Sequence, residues 1–276
     1  MAAAGVDNPE RDGSLTRWLA HLLRWSSRAS FAGRPPETAR YGSHPEQVAD
    51  LWKPDGPGPH PVVVSIHGGY FRRHYRRDIH DPLARALVGS GLAVLNIEYR
   101  RVGTGGSWDH TTEDVMTAIS WLSERRTRRS GLGDEVGVVG HSAGGYLALW
   151  AATHPDVHFV VGLSAASDLA DCARGGYDGG SVAAWLGATP DSDPARYARA
   201  DLLGQLPTRA TTWLVHGDAD RTVPLHQSTR YVDRALQAGD VSSLRVLPGE
   251  GHFGVIDPRS PAFAAWHDPL VERMRG

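Results

Sequence analysis

Three short segments far apart in the chain hold residue types that can break an acyl bond: Gly140-His141-Ser142-Ala143-Gly144, Asp218-Ala219-Asp220 and Gly249-Glu250-Gly251-His252. A serine hydroxyl is a weak nucleophile until an imidazole takes its proton, and the imidazole needs a carboxylate to fix its tautomer. Ser142, His252 and Asp220 are the candidates for these roles, as nucleophile, general base and orienting acid. Asp220 is preferred to Asp218 because the H-G-x-x-D-x-x-V-P spacing puts it at the turn, where Asp218 would instead shape the loop. The G-x-S-x-G pentapeptide alone is weak, arising by chance in roughly one chain in ten of this length. Its context is stronger: Glu135-Val-Gly-Val-Val139 leads into it as a strand, and Gly145-Tyr-Leu-Ala-Leu-Trp150 follows as a helix. A sharp strand-to-helix turn lifts the serine above the sheet and needs glycine on both sides.

A second glycine run, His67-Gly68-Gly69-Tyr70, ends another apolar strand. Bare main-chain N–H groups in such a loop can stabilise the oxygen of a tetrahedral intermediate. The donors are assigned to Gly69 and Tyr70, with Gly68 in place of Gly69 as the alternative, and to Ala143 just after the nucleophile. A strand-ending glycine turn with no such role is the plain alternative. His67, His141 and His216 sit in loop- or elbow-shaping positions. No spacing among the 14 histidines and one cysteine matches a metal motif, and no phosphate loop is present, so neither metal nor cofactor is expected.

The elements that must position these residues are legible as alternation. Strands are expected at 61–66, 92–97, 136–139, 159–163, 211–215 and 244–247, with helices at 81–88, 110–126, 144–153 and 227–238. This predicts an α/β fold with a mostly parallel sheet covered by helices on both faces. The Gly-, Asp- and Pro-rich stretch 171–206 breaks the alternation and reads as a small cap. Residues 1–36 read as an N-terminal extension carrying an amphipathic helix (Leu15, Trp18, Leu19, Leu22 and Leu23), and 37–276 as the α/β domain. A net charge of −2 gives no footprint for nucleic acid, and no apolar run reaches the ~20 residues of a membrane span. The single cysteine, Cys172, rules out an internal disulfide and fits a cytoplasmic setting. Lys53 is the only lysine and lies in a turn-like stretch, which leaves Schiff-base chemistry without a candidate.

Taken together, HGGY, GHSAG, the HGDADRTVP run and GEGHF resemble the α/β-hydrolase superfamily over nearly all of 41–275. HGGYF, the YGSHPEQVADLWKP run, the NIEYRR strand end and RYARADLLGQLP look like small bacterial esterases related to kynurenine formamidase (arylformamidase) and to hormone-sensitive-lipase-like hydrolases. The resemblance implies the Ser142, Asp220, His252 triad and an acyl-enzyme route for a carboxylic ester or arylamide. The same triad also suits a natural-product lactone or thioester, and a ligand-binding protein could keep the fold without turnover. Aromatic residues beside the motifs, Phe71, Trp108, Tyr146, Trp185 and Phe253, are expected to line an apolar substrate pocket, with core packing as the alternative. The Arg72–Arg77 run could steer a carboxylate-bearing substrate or form a solvated face.

Overall fold

A computed structural model describes residues 34–127 and 131–276. The expected N-terminal helix lies outside the described residues. The strands are β1 (Glu37–Arg40), β2 (Val48–Trp52), β3 (His60–Ile66), β4 (Ala93–Ile97), β5 (Leu132–His141), β6 (Phe159–Leu163), β7 (Thr211–Gly217) and β8 (Ser242–Leu247). They form one eight-stranded sheet in the order β1-β2-β4-β3-β5-β6-β7-β8. From β4 to β8 every pairing is parallel, whereas β1 and β2 run antiparallel at one edge. This is the α/β-hydrolase fold.

The parallel strands are apolar on both faces because helices cover both. Val62, Val64, Leu95, Val136 and Val138 face one apolar layer, together with α2 (Trp108–Thr127) and α3 (Ala143–Ala151). Val63, Val94, Val139 and Val161 face the other, with α1 (Asp81–Gly89). Between β6 and β7 the alternation gives way to an insert of short helices: α4 (Leu169–Gly175), α5 (Ser181–Leu186), α6 (Pro194–Arg199) and a 3-10 turn at Leu202–Gln205. Asp168 and Asp193 cap α4 and α6 with their carboxylates. Helix α7 (His226–Gln237) follows β7, and α8 (Pro261–Arg275) closes the chain. Among the described residues no helix is long and apolar enough to cross a membrane.

Several elements depart from the sequence expectation. Strands β1 and β2 were not anticipated, because Asp50 sits mid-strand and looks like a breaker. Arg77 Nε meets its carboxylate at 2.6 Å, so the charge is paired. Lys53 therefore follows a strand directly. Helix α8 was also not expected, since Pro261 and Pro269 interrupt its pattern. Yet Phe263, Trp266, Leu270 and Met274 recur at helical spacing and bury against the second layer. Strand β5 begins at Leu132, earlier than the apolar run from Val136 suggested.

Candidate active site

Strand β5 runs straight into the N-terminus of α3, and Ser142 is the hinge, at φ 57° and ψ −120°. A non-glycine residue rarely adopts such a backbone, which costs about 1–3 kcal/mol. It persists because its neighbours fix it. The Ser142 N–H donates to the Leu163 carbonyl at 2.9 Å, and the Ser142 carbonyl accepts from Gly145, Tyr146 and Ala166. Gly140 and Gly144 flank the turn because a side chain at 140 would lie 2.0 Å from the Gly144 carbonyl oxygen. Ala143, as the first residue of α3, has an N–H with no acceptor inside the helix.

Asp220 lies in the loop after β7 and His252 in the loop after β8. His252 Nδ1 donates to Asp220 Oδ2 at 2.7 Å, so in the neutral ring Nε2 is the accepting nitrogen. The other carboxylate oxygen accepts the N–H groups of Thr222 and Val223 at 2.8 and 2.9 Å. Burial alone would raise the Asp220 carboxyl, but His252 and His216 beside it hold it well below the usual carboxylate range. His216 stands 3.3 Å from Asp220 Oδ2 and donates from Nε2 to the Val223 carbonyl at 2.8 Å, so it shapes the loop. Asp218 accepts from the Gly249 N–H at 2.6 Å and joins the acid loop to the base loop.

The loop after β3 has an unusual backbone: Gly69, Tyr70 and Phe71 take φ of 119°, 57° and 56°. A side chain at Gly69 would strike the Tyr75 ring, its Cβ only 2.3 Å from that of Tyr75. The base of the loop is held by His67, already read as loop-shaping, and by three partners whose role motif reading missed: Glu98, Tyr99 and Arg101. His67 Nε2 meets Glu98 Oε1 at 2.9 Å, Arg101 reaches the same oxygen at 2.7 Å, and Tyr99 donates its hydroxyl to the His67 carbonyl. Burial would raise the Glu98 carboxyl, yet the His67 and Arg101 charges and the Arg77 N–H keep it below its ordinary value. The signal in the sequence was Glu98-Tyr99-Arg100-Arg101, charge placed immediately after a buried strand. The neighbouring arginine run is mostly engaged: Arg77 with Asp50, Arg76 with Glu98, and Arg72 with the Gly179 carbonyl of the insert.

Two small cavities meet at Ser142, with Tyr70 bordering both. One is lined by Tyr75, Ile79, Phe253 and Ile256 next to His252. The other is lined by Phe71, Cys172, Tyr177, Val182 and Val223 next to Ala143. Each has a volume of about 20 Å³, little more than one water molecule needs. Phe71 and Phe253 each line one of these cavities. Trp108, Tyr146 and Trp185, also expected at the pocket, line neither of these two cavities. Trp185 is 1% exposed, stacks on Phe71 with centroids 3.6 Å apart, and donates its indole N–H to Thr111. Tyr146 accepts from Trp108 Nε1 and donates to the Ala200 carbonyl. The physical reason is economy of burial: a six-residue helix such as α5 stays docked only by committing its largest apolar side chain to the core.

The BD-FAE family model matches residues 49–234 of this chain. The chain belongs to the BD-FAE family. Among curated relatives, it is 26% identical over 216 residues to the "probable carboxylic ester hydrolase LipM" of Mycobacterium tuberculosis (strain H37Rv), covering 68% of this chain and 48% of that protein. It is 35% identical over 116 residues to the 5-methylorsellinic acid synthase of Aspergillus terreus, covering 38% of this chain but 4% of that protein. The chain therefore spans about half of one relative and a small fraction of the other. Among solved structures, a bacterial heroin esterase superimposes with a TM-score of 0.76 at 21% identity, over 98% of this chain and 91% of that one. That likeness establishes the fold.

Proposed function

We propose that the protein is a serine hydrolase that cleaves a carboxylic ester or arylamide through an acyl-enzyme. One observation carries the reading: Ser142, strained at the tip of a strand–helix turn, shares a cavity with His252, whose far nitrogen is bonded to the buried Asp220. Ser142 Oγ attacks the carbonyl carbon as His252 Nε2 takes its proton, and Asp220 stabilises the imidazolium. The negative oxygen is met by the Ala143 N–H at the α3 N-terminus and by the Gly69 and Tyr70 N–H groups. His252 returns its proton to the departing alcohol or amine, and water reverses the sequence to free the acid.

The narrow cavities favour small acyl groups of acetyl size, with the bulk of the substrate outside. The relation to an esterase-named relative of M. tuberculosis supports ester over amide. A fluorophosphonate probe tests the mechanism. Peptide mass spectrometry is expected to find the adduct on Ser142, with labelling lost in His252→Gln. No adduct, or an adduct elsewhere, removes Ser142 from the role. A second reading keeps the same residues for the release or transfer of an acyl group held as a thioester, and it is favoured by the similarity to a synthase whose name gives an acid as its product. Turnover of an acetyl thioester at a higher kcat/KM than the matching oxygen ester would favour it.

A further inference from the structure

Ser142 and His252 come from different parts of the sheet, and their relative placement decides whether the base can reach the hydroxyl. Resting on the serine-hydrolase reading above, we propose that His141 is a positioning residue for the catalytic base, fixing it by donating a hydrogen bond from Nε2 to the main-chain carbonyl of His252. The two atoms are 2.8 Å apart, and because a carbonyl only accepts, the hydrogen is on His141 Nε2.

The need for such an anchor follows from the base loop itself. Asp218 holds the Gly249 N–H and the Ala219 N–H holds the Glu250 carbonyl, so the loop is pinned as far as Glu250; beyond Gly251, the main chain at His252 is held by His141. Asp220 grips the ring of His252 only at Nδ1, and a ring held at one end can pivot about that bond. His141 grips the same residue at its backbone. Both anchors stand at strand ends, His141 as the last residue of β5 and Asp220 just after β7. The oxyanion loop also packs on His141: a methyl group at Gly68 would lie 2.7 Å from the His141 carbonyl oxygen and 3.3 Å from its Nδ1. His141 thus touches both the base loop and the oxyanion loop from the end of β5.

The chemistry of His141 suits a neighbour of a base that must become cationic. Its ring is 4.6 Å from that of His252 and almost fully buried. Burial, and the proximity of His252 and His80, hold its pKa well below the ordinary histidine range. His141 therefore stays neutral and adds no positive charge against the imidazolium formed during turnover.

The test compares His141→Leu, which removes the donor, with His141→Gln, whose amide nitrogen reaches about as far as Nε2. Active sites are counted by phosphonate titration, and kcat and KM are measured with an acetate ester. His141→Leu is expected to lower kcat per titrated site about 10–100-fold, with KM within about threefold. His141→Gln is expected to remain within about fivefold of wild type. Wild-type kcat per site in His141→Leu overturns the proposal, as does an equal loss in both variants. Independently of folding in either variant, nitrogen-resolved NMR of the wild type should find a slowly exchanging His141 Nε2–H, and its absence also overturns the proposal. A wild-type protein that no phosphonate labels defeats the serine-hydrolase reading instead, and the NMR measurement still reports on the bond.

Discussion

The loops at the strand ends and the insert between β6 and β7 both border Ser142, but different forces hold them. The loops are fixed by directional bonds between polar groups: His252 to Asp220, Asp220 to the Thr222 and Val223 N–H groups, His67 to Glu98, and His141 to the His252 carbonyl. The insert is fixed chiefly by apolar contact, with Trp185 on Phe71 at its centre and Val182, Leu186 and Leu202 buried around it. Polar ties at its margin join Asp171 to Tyr177, His226 and Gln227, and Arg199 to Asp109. Directional bonds fix atoms to within the few tenths of an ångström that proton transfer demands. Apolar contact fixes a volume, and volume tolerates substitution. The loops should therefore govern rate, and the insert should govern stability and the size of the acyl group.

The sharpest test of that division is Ser142→Ala. Hydrolysis of p-nitrophenyl acetate is expected to fall about 10⁴–10⁶-fold while the melting temperature stays within a few degrees. Residual activity within tenfold of wild type would take the reaction away from the strand-end loops altogether. Next comes the pair of aspartates in one loop. Asp220→Asn should cost about 10³–10⁴-fold in kcat, because it presents the wrong partner to His252 Nδ1, whereas Asp218→Asn should cost less than tenfold. If the order of the two losses were reversed, the acid role would pass to Asp218.

The insert should respond in the other currency. Trp185→Ala is expected to lose about 3–5 kcal/mol of stability by urea denaturation, with the acetate-to-benzoate ratio of kcat/KM changed less than threefold. A tenfold change in that ratio at unaltered stability would make Trp185 a wall of the cavity after all. The smallest effect belongs to Val182, which lines the cavity beside Ala143. Val182→Ala should raise kcat/KM for a butyrate ester relative to acetate about tenfold, the scale expected for opening a pocket by about a methylene. An unchanged ratio would mean that the acyl group lies in the cavity beside His252.

The same contrast explains what was legible before the fold was known. The elbow around Ser142, the glycines after β3 and the Asp220 turn are local devices, each within a few residues of the strand that feeds it. Their backbone demands select Gly, Asp and His at fixed offsets, and those offsets survive in the sequence. Strand β2 was hidden because the partner of Asp50, Arg77, lies in a different element, and α8 because two prolines mask an apolar face that only the sheet reveals. Trp108, Tyr146 and Trp185 stood beside the motifs in sequence, yet Tyr146 and Trp185 pack against Phe71 and Trp108 bonds to Tyr146, a matter of which side chains the insert and α2 bring together.

The amino-acid sequence by itself determined the order of the elements, the parallel character of most of the sheet and the residue types able to do acyl chemistry. These follow from short-range rules: strand and helix periodicity, and the few residues that tolerate a tight turn. Only the tertiary structure decided that His252 Nδ1 meets Asp220, that His141 holds the His252 backbone, and that the space beside Ser142 is two small cavities. Those outcomes depend on contacts between segments well separated in the chain, 32 residues for Asp220 and His252 and 111 for His141 and His252. The separation leaves no pattern in either segment alone, because the energy that joins them exists only once the sheet has closed the distance.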